Sequence, residues 1–305
     1  MSGDSVREDG NAAGRAYVRR LDEAARSVRA CFGEIPKTLI ILGSGLGSLT
    51  EMVSVKGSLP YAQIPHMPQV STDGHAGNLI VGTLGGSDVA LFQGRVHCHD
   101  GLPPSEVAFG VRTMVSLGIK NLIVTNAAGS IREGLEVGDL MVIDNHLSLF
   151  LPEDPALRLE HPVLGEKFYP QTDPYDRKLG DAFLAAAEQR GWAARCQRGV
   201  YCFVPGPRYE SRGDIAFLRA LKVADAVGMS TVPEVLAGLQ MTRGALRVLG
   251  ISTITNVAAG LSKDEPNHAE VKAAGLEAAP RLRALIADVV ASIAGVPSLE
   301  SPAGL

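Results

Sequence analysis

Short segments rich in small residues follow apolar runs in this sequence, and the first of them suits an anion. Residues 38–42 (TLIIL) are followed by residues 43–47 (GSGLG). Glycines expose backbone N–H groups without side chains that block approach, so such a loop can hold phosphate. The spacing matches neither the GxGxxG dinucleotide motif nor the GK[ST] ending of an ATP-binding loop. By itself, a tight turn explains the segment equally well.

A second segment, residues 93–101 (QGRVHCHDG), places basic side chains after another apolar run. If this segment is extended, Arg95 and His97 point to the same side, because side chains alternate along a strand. The planar guanidinium of arginine suits phosphate oxygens. The plain alternative is a surface arginine with a core histidine. A metal held by His97 and His99 is disfavoured, because we expect no carboxylate or third histidine at ligand spacing, so no metal site is predicted.

Two more segments offer small or hydroxyl-bearing residues. Residues 125–130 (TNAAGS) would let a flat ring or a phosphate lie against the backbone. Residues 231–234 (TVPE) match a T-x-x-E capping box with proline in the first turn, so Ser230 is expected beside a helix N-terminus, where anions are stabilised. Each segment also fits a purely structural turn.

Groups that suit a heterocyclic ring come later in the chain. Tyr209 and Glu210 lie side by side in residues 205–210 (PGPRYE), where a purine with an N1–H could stack and hydrogen-bond. Read separately, a core tyrosine and a solvated glutamate are the default. Asn256 ends an apolar run, and Asn267 is the expected N-cap of the last helix. Because several of these segments join strands to loops, the residues predict a phosphate-and-ring site without naming a reaction.

The elements that must position these residues alternate along the chain. Apolar runs predict strands at 38–42, 79–81, 89–92, 122–125, 140–143, 200–204, 224–227 and 246–255. Helical patterns begin at Gly14 and recur at 104–117, 175–190, 214–221, 232–242 and 267–294. This predicts an α/β fold with a large central mixed β-sheet flanked by helices, in a single domain over 1–305. Residues 1–13 and 296–305 are predicted as flexible tails, and 151–174 as a long functional or mobile loop.

Composition limits the partners and the compartment. The formal net charge of −4 argues against nucleic-acid binding, which needs a basic face. The four cysteines form no CxxC pair, which favours reduced thiols in the cytoplasm. The N-terminus lacks an apolar signal core, and no apolar stretch is long enough to span a bilayer. A small-molecule partner is therefore predicted, with no membrane partner.

Taken together, the motifs resemble those of the trimeric purine nucleoside phosphorylases. Residues 43–47, 74–77 (GHAG), 94–101, 125–129, 206–210, 227–234 and 255–256 occur in that family's order, over about residues 35 to 275. The resemblance implies the nucleoside phosphorylase type I fold and a homotrimer. It also implies a pentosyltransferase of purine salvage, which converts inosine, guanosine and their 2′-deoxy forms reversibly into free base and (deoxy)ribose 1-phosphate. Phosphate would be a substrate, and neither a metal nor an organic cofactor is implied.

The resemblance also implies roles for individual residues. The phosphate-binding residues would be Ser44, His75, Arg95, His97, Ala127 through its backbone, and Ser230. The base and the ribose would contact Tyr209, Glu210, Val227, Met229, Asn256, His268 and His99, and Phe168 would be lent to the neighbouring subunit's site. Asn256, Glu210 and His97 would take part in catalysis: Glu210 would accept from the purine N1–H, and Asn256 would bond N7 and O6.

One departure and three alternatives remain open. His99 replaces the family's usual tyrosine facing the ribose, and an imidazole can titrate near neutral pH. Methylthioadenosine phosphorylases share the fold but usually have aspartate where this chain has Asn256, so 6-oxopurines are favoured here. A preference for xanthosine is a nearer alternative. A non-catalytic purine-binding protein is the alternative from another class.

Overall fold

The structure is a computed structural model that describes residues 10–43, 47–71, 75–262, 268–293 and 295. Its strands are β1 (Thr38–Ile41), β2 (Ser54–Pro60), β3 (Asn78–Leu84), β4 (Ser87–Gln93), β5 (Asn121–Ser130), β6 (Leu140–Leu147), β7 (Cys196–Phe203), β8 (Ala226–Gly228) and β9 (Arg247–Val257). Its helices are α1 (Ala12–Phe32), α2 (Pro104–Val107), α3 (Phe109–Ser116), α4 (Arg177–Gln189), α5 (Arg212–Leu221), α6 (Val232–Thr242) and α7 (His268–Ile293).

The strands form one nine-stranded mixed sheet in the order β2-β3-β4-β1-β5-β8-β7-β6-β9. β1 pairs in parallel with both β4 and β5. β9 pairs antiparallel with β6 and parallel with β5, so the last five strands close into a ring. The large mixed β-sheet predicted from the sequence is confirmed.

The central strands are buried on both faces, which explains their continuous apolar runs. On one face, Leu39 and Ile41 of β1 belong to a core that includes residues of α1, α3 and α6. On the other face, Ile40 of β1 belongs to a core that includes residues of α4 and α7. Polar groups in such strands are costly unless they are paired, so those near the strand ends stand out as candidates for function.

Several predicted boundaries were wrong by a few residues. α1 begins at Ala12 rather than Gly14, because the side chain of Asn11 accepts from the Gly14 N–H at 2.7 Å and caps the helix. The start of α1 thus lies within the segment that was predicted as a tail over 1–13. Residues 1–9 and 296–305 lie outside the described residues, so the tails and the single-domain reading stay predictions. The predicted helix over 104–117 divides at Ala108 into α2 and α3.

One strand was missed and one loop was found. β2 (SVKGSLP) is mostly exposed at the edge of the sheet, so it carries no apolar alternation that could have revealed it. Between β6 and α4 the chain forms a long connection whose one regular piece is a short 3₁₀ turn at Pro162–Leu164.

No helix among the described residues has both the length and the apolar character to cross a bilayer. All four cysteines are unpaired.

Candidate active site

A cavity of about 370 Å³ opens near the ends of β5, β8 and β9 and brings most of the predicted site residues together. Ten of them line it, namely Arg95, His97, His99, Ala127, Tyr209, Glu210, Val227, Met229, Ser230 and Asn256. They come from segments that are up to 161 residues apart in the chain, from Arg95 to Asn256. Motifs that are far apart in the sequence therefore meet at one cavity, while the roles of their residues stay predictions.

The register of three strands sets the floor of this cavity. Gly129 of β5 lies opposite Asn256 of β9 and opposite Val227 of β8. A Cβ atom on Gly129 would lie 2.9 Å from Nδ2 of Asn256, so a larger residue here would displace the Asn256 side chain. A β-bulge in the β5–β9 pairing between Ala128 and Gly129 changes the register at this point. The register thereby places Asn256 and Val227 on opposite sides of Gly129.

Arg95 lies behind one end of the cavity and is held by the protein on several sides. Only 5% of the residue is exposed. Its Nη1 donates to Oγ1 of Thr231 at 3.2 Å, and its Nη2 donates to the backbone oxygens of Thr125 and Ile41. Its Nε is buried and has no hydrogen-bond partner in the described part of the protein. The guanidinium is therefore fixed in direction, with one donor left over.

Glu234 balances the charge of Arg95. Its carboxylate lies 3.5 Å from Nη1 of Arg95, and 2% of the residue is exposed. Burial raises the pKa of Glu234, while Arg95 and a backbone hydrogen bond from Thr231 oppose that shift. The capping box predicted for residues 231–234 is only half formed, since the Thr231 side chain makes no capping hydrogen bond. Its hydroxyl instead accepts from Arg95 and Asn126.

Three histidines form a stack beside the arginine. The rings of His75 and His97 lie 5.5 Å apart, and those of His97 and His99 lie 4.5 Å apart and nearly parallel. His75 does not line the cavity; its Nδ1 lies 2.9 Å from the backbone oxygen of Arg95. Burial lowers the pKa of His75 to about 4 and also lowers that of His97. Burial therefore favours the neutral form of both rings, and the guanidinium of Arg95 supplies positive charge at this end of the site.

A carboxylate that sequence reasoning had discounted joins this stack. The carboxylate oxygens of Asp100 lie 3.8 Å from Nδ1 of His97 and 3.4 Å from Nδ1 of His99, so the premise that no carboxylate is nearby was wrong. Asp100 also accepts from Ser71 Oγ and from the His97 N–H. Because the two rings are nearly parallel, their in-plane lone pairs run side by side instead of converging on one ion. This geometry suits hydrogen bonding better than chelation.

The opposite end of the cavity is more open. Tyr209 is exposed on the loop before α5, and Glu210 is half-buried next to it. Burial raises the pKa of the Glu210 carboxyl, and the carboxylate of Asp214 shifts it the same way, while Arg208 opposes them. Asn256 is oriented by two hydrogen bonds: its Oδ1 accepts from Thr255 Oγ1 and its Nδ2 donates to the backbone oxygen of Val257, both at 3.1 Å. An amide and a carboxylate therefore face a space large enough for a planar ring.

Among the other predicted residues, His75 and Phe168 do not line the cavity, and two more fall outside what the structure describes. Ser44 lies outside the described residues, and so does the side chain of His268, whose backbone begins α7. The expected N-cap Asn267 also lies outside them. Phe168 is 86% exposed on the β6–α4 connection and does not line the cavity of its own chain.

Sequence reasoning missed several residues of this site. Asn126 and Thr255 line the cavity, and Thr231 and Glu234 lie directly behind it. The available signal was a polar side chain inside an otherwise apolar, buried strand, which holds for Asn126 in β5 and Thr255 in β9. The capping-box pattern marked Glu234 for a role at the helix start, but nothing in the sequence marked its contact with Arg95, which is 139 residues away.

Comparisons with known proteins agree with this architecture. Residues 37–291 match the family model described as the phosphorylase superfamily. The chain is 40% identical over 252 residues to purine nucleoside phosphorylase 1 of Bacillus subtilis, an alignment that covers 83% of this chain and 90% of that protein.

Solved structures of relatives carry the same fold. A Schistosoma purine nucleoside phosphorylase in complex with hypoxanthine superposes with a TM-score of 0.81 at 33% identity, covering 90% of this chain and 96% of that one. The Schistosoma mansoni enzyme in complex with adenosine gives a TM-score of 0.83 at 31% identity, covering 93% and 99%. With its sheet, its cavity and these relatives in agreement, the chain belongs to the phosphorylase superfamily, among the purine nucleoside phosphorylases.

Proposed function

We propose that this protein catalyses the reversible phosphorolysis of 6-oxopurine nucleosides, inosine and guanosine with their 2′-deoxy forms, to free base and (deoxy)ribose 1-phosphate. The observation that carries this proposal is one cavity with a buried arginine at one end and a carboxylate and an amide at the other. The first end suits an anion, and the second suits a heterocycle that offers both donors and acceptors.

The phosphate is proposed to lie against Arg95, His97, the Ala127 backbone and Ser230, with His75 behind His97 and Ser44 contributing as the family resemblance implies. Arg95 supplies the positive charge, and the neutral imidazoles supply hydrogen bonds. Phosphate held here would stabilise the oxocarbenium-like ribose and attack its C1′. Positioning and electrostatics then suffice without a covalent enzyme intermediate.

The purine is proposed to lie between Tyr209 and Val227, with Glu210 accepting from N1–H and Asn256 facing N7 and O6. As the glycosidic bond stretches, negative charge gathers on the base, and the amide of Asn256 stabilises it. Met229, His99 and His268 are assigned to the ribose. The two structural neighbours bind hypoxanthine and adenosine, so they leave the 6-substituent open, and Asn256 carries the assignment to 6-oxopurines.

The decisive experiment measures consumption of inosine, guanosine, xanthosine, adenosine and methylthioadenosine with and without phosphate, with detection of free base and ribose 1-phosphate. We expect cleavage of inosine and guanosine only when phosphate is present. Cleavage without phosphate would identify a hydrolase, and purine binding without turnover would identify a binding protein. A preference for xanthosine or methylthioadenosine would overturn the substrate assignment alone.

We further propose a homotrimer in which Phe168 completes a neighbour's site. The β6–α4 connection exposes several large apolar side chains, namely Leu149, Phe150, Leu157 and Phe168, and such patches mark interfaces. Light scattering should give three times the chain mass. Phe168→Ala should raise the KM for inosine. A mixed trimer of Phe168→Ala and Asn256→Ala chains should regain activity, because the second chain lends its phenylalanine to the first; no gain on mixing would exclude that exchange.

The remaining expectations are a cytoplasmic location and a reaction without metal or organic cofactor. Cell fractionation tests the first. For the second, activity should survive dialysis against a chelator, whereas loss of activity that zinc restores would assign a metal to the cluster of His97, His99 and Asp100.

A further inference from the structure

The backbone at Thr231 adopts a conformation that a β-branched residue rarely takes. Its φ is +77° and its ψ is −51°. The Val232 N–H donates to the backbone oxygen of Ser230 at 2.9 Å, which closes a three-residue ring around Thr231. These features define a classic γ-turn, a rare and strained structure. Strain of this kind persists only where surrounding contacts hold it, and such sites are often functional.

The side chain of Thr231 joins three parts of the site. The residue is completely buried. Its Oγ1 accepts from Nη1 of Arg95 at 3.2 Å and from Nδ2 of Asn126 at 2.9 Å, and it lies 3.5 Å from Oγ of Ser230. One hydroxyl thus connects the arginine, Asn126 of β5 and Ser230, which precedes Thr231 in the chain. It does so from behind, since Thr231 itself does not line the cavity.

This arrangement is not what helix capping requires. A threonine at an N-cap normally accepts from a backbone N–H of the first turn, and the Thr231 side chain does not. The helix tolerates this because Pro233 lacks an N–H and the Glu234 carboxylate takes the Thr231 N–H. The hydroxyl is thereby released from the helix and directed to Arg95 and Asn126.

We infer that Thr231 is a positioning residue for phosphate: its strained turn presents Ser230 to the cavity, and its hydroxyl sets the direction of the Arg95 guanidinium. This inference rests on the proposed phosphorylase function. It assigns to Thr231 no contact with the substrate. A valine would fit the same space but could not accept either hydrogen bond, whereas a serine could.

The test compares Thr231→Val with Thr231→Ser, and uses Thr113→Val as a matched loss of a buried threonine hydroxyl in α3. Thr231→Val should raise the KM for phosphate about tenfold or more, as for loss of one buried hydrogen bond to a charged group. Its KM for inosine should stay within about threefold of wild type, as should both KM values of Thr231→Ser and Thr113→Val. Because folding alone would not separate the two substrates, this split identifies positioning.

Phosphate-dependent thermal stabilisation without nucleoside gives a second readout. The wild type and Thr231→Ser should be stabilised at similar phosphate concentrations, and Thr231→Val only at higher ones; if the valine variant does not fold, Thr231→Ala takes its place. Equal phosphate KM in Thr231→Val and Thr231→Ser, or an equal rise in both KM values, would overturn the inference. A wild type that ignores phosphate would instead overturn the proposed function.

Discussion

The two ends of the cavity are built differently. At the end proposed for phosphate, called the phosphate end below, Arg95, Thr231 and Glu234 are buried and bonded to one another or to backbone oxygens. At the end proposed for the purine, called the base end, Tyr209 is exposed on a loop and Glu210 is half-buried beside it. The first end is therefore part of the folded core, and its residues contribute to stability as well as function. Residues of the second end should affect substrate recognition with little effect on folding.

The largest expected effect is that of Arg95→Ala. Removing the guanidinium leaves the Glu234 carboxylate buried without its cation, which should lower the free energy of unfolding by about 3–5 kcal/mol. The phosphate KM should rise as well. Chemical denaturation measures the first effect, and Arg95→Ala combined with Glu234→Gln should recover part of the lost stability. Unchanged stability in Arg95→Ala would contradict the conclusion that the phosphate end contributes to the stability of the fold.

Glu210→Ala should have the next largest effect, on catalysis alone. Loss of the charge-assisted hydrogen bond to N1–H should remove about 2–4 kcal/mol of transition-state stabilisation. This loss is measured as a lower kcat/KM for inosine. Denaturation should give a stability close to that of the wild type. Wild-type kcat/KM would remove Glu210 from the site.

The raised pKa of Glu210 adds a pH signature to that prediction. Only the ionised carboxylate accepts from N1–H, so kcat/KM should fall as pH drops through a pKa above the ordinary glutamate value. Glu210→Gln should lack this acid limb, and an unchanged limb would assign it to another group.

Asn256→Asp sharpens the base end further, with a smaller effect expected. An acceptor would then face the 6-substituent. The transition state for inosine should lose about 1–3 kcal/mol of stabilisation, and some activity on adenosine should appear. The inosine-to-adenosine ratio of kcat/KM is the measurement, and Tyr209→Phe, which keeps the ring, should leave that ratio unchanged. An unchanged ratio in Asn256→Asp would sink this role for the amide.

The smallest expected effect is the change in the free energy of unfolding with pH that His75, near the phosphate end, should cause. His75 has a folded-state pKa of about 4, below the ordinary value of 6.5, so the unfolded chain takes up the proton first as pH falls. His75 should therefore contribute a loss of stability from about pH 6.5 down to about pH 4, by roughly 1.4 kcal/mol per pH unit, and its contribution should stop growing below that range.

His146 provides the matched control, since burial lowers its pKa to about 4 and it lies on β6 away from the cavity lining. Denaturation across this pH range should show that His75→Gln and His146→Gln each reduce the pH dependence of the free energy of unfolding by the contribution of one histidine. Only the His75 variant should also alter the KM for phosphate. If His75→Gln leaves the slope unchanged, His75 is not held neutral by burial.

Much of the fold was predictable because its signals are local. The apolar runs of β1, β5 and β9 and the helical stripe of α1 follow from the periodicity of burial in a strand or a helix. β2 could not be found this way, since an exposed edge strand needs no apolar alternation. The division between α2 and α3 at Ala108 likewise has no local sequence mark.

The sequence by itself determined which groups are available for chemistry, and the order of its motifs, through the family resemblance, predicted that Arg95, Glu210 and Asn256 belong to one site. Only the tertiary structure decided how they are held. The position of Glu234 beside Arg95 and the diverted hydroxyl of Thr231 both depend on contacts between segments that are far apart in the chain. Neighbouring residues do not set those contacts. Segments more than 100 residues apart set them for Arg95, because a buried polar group bonds to whichever partner the packed core places within reach.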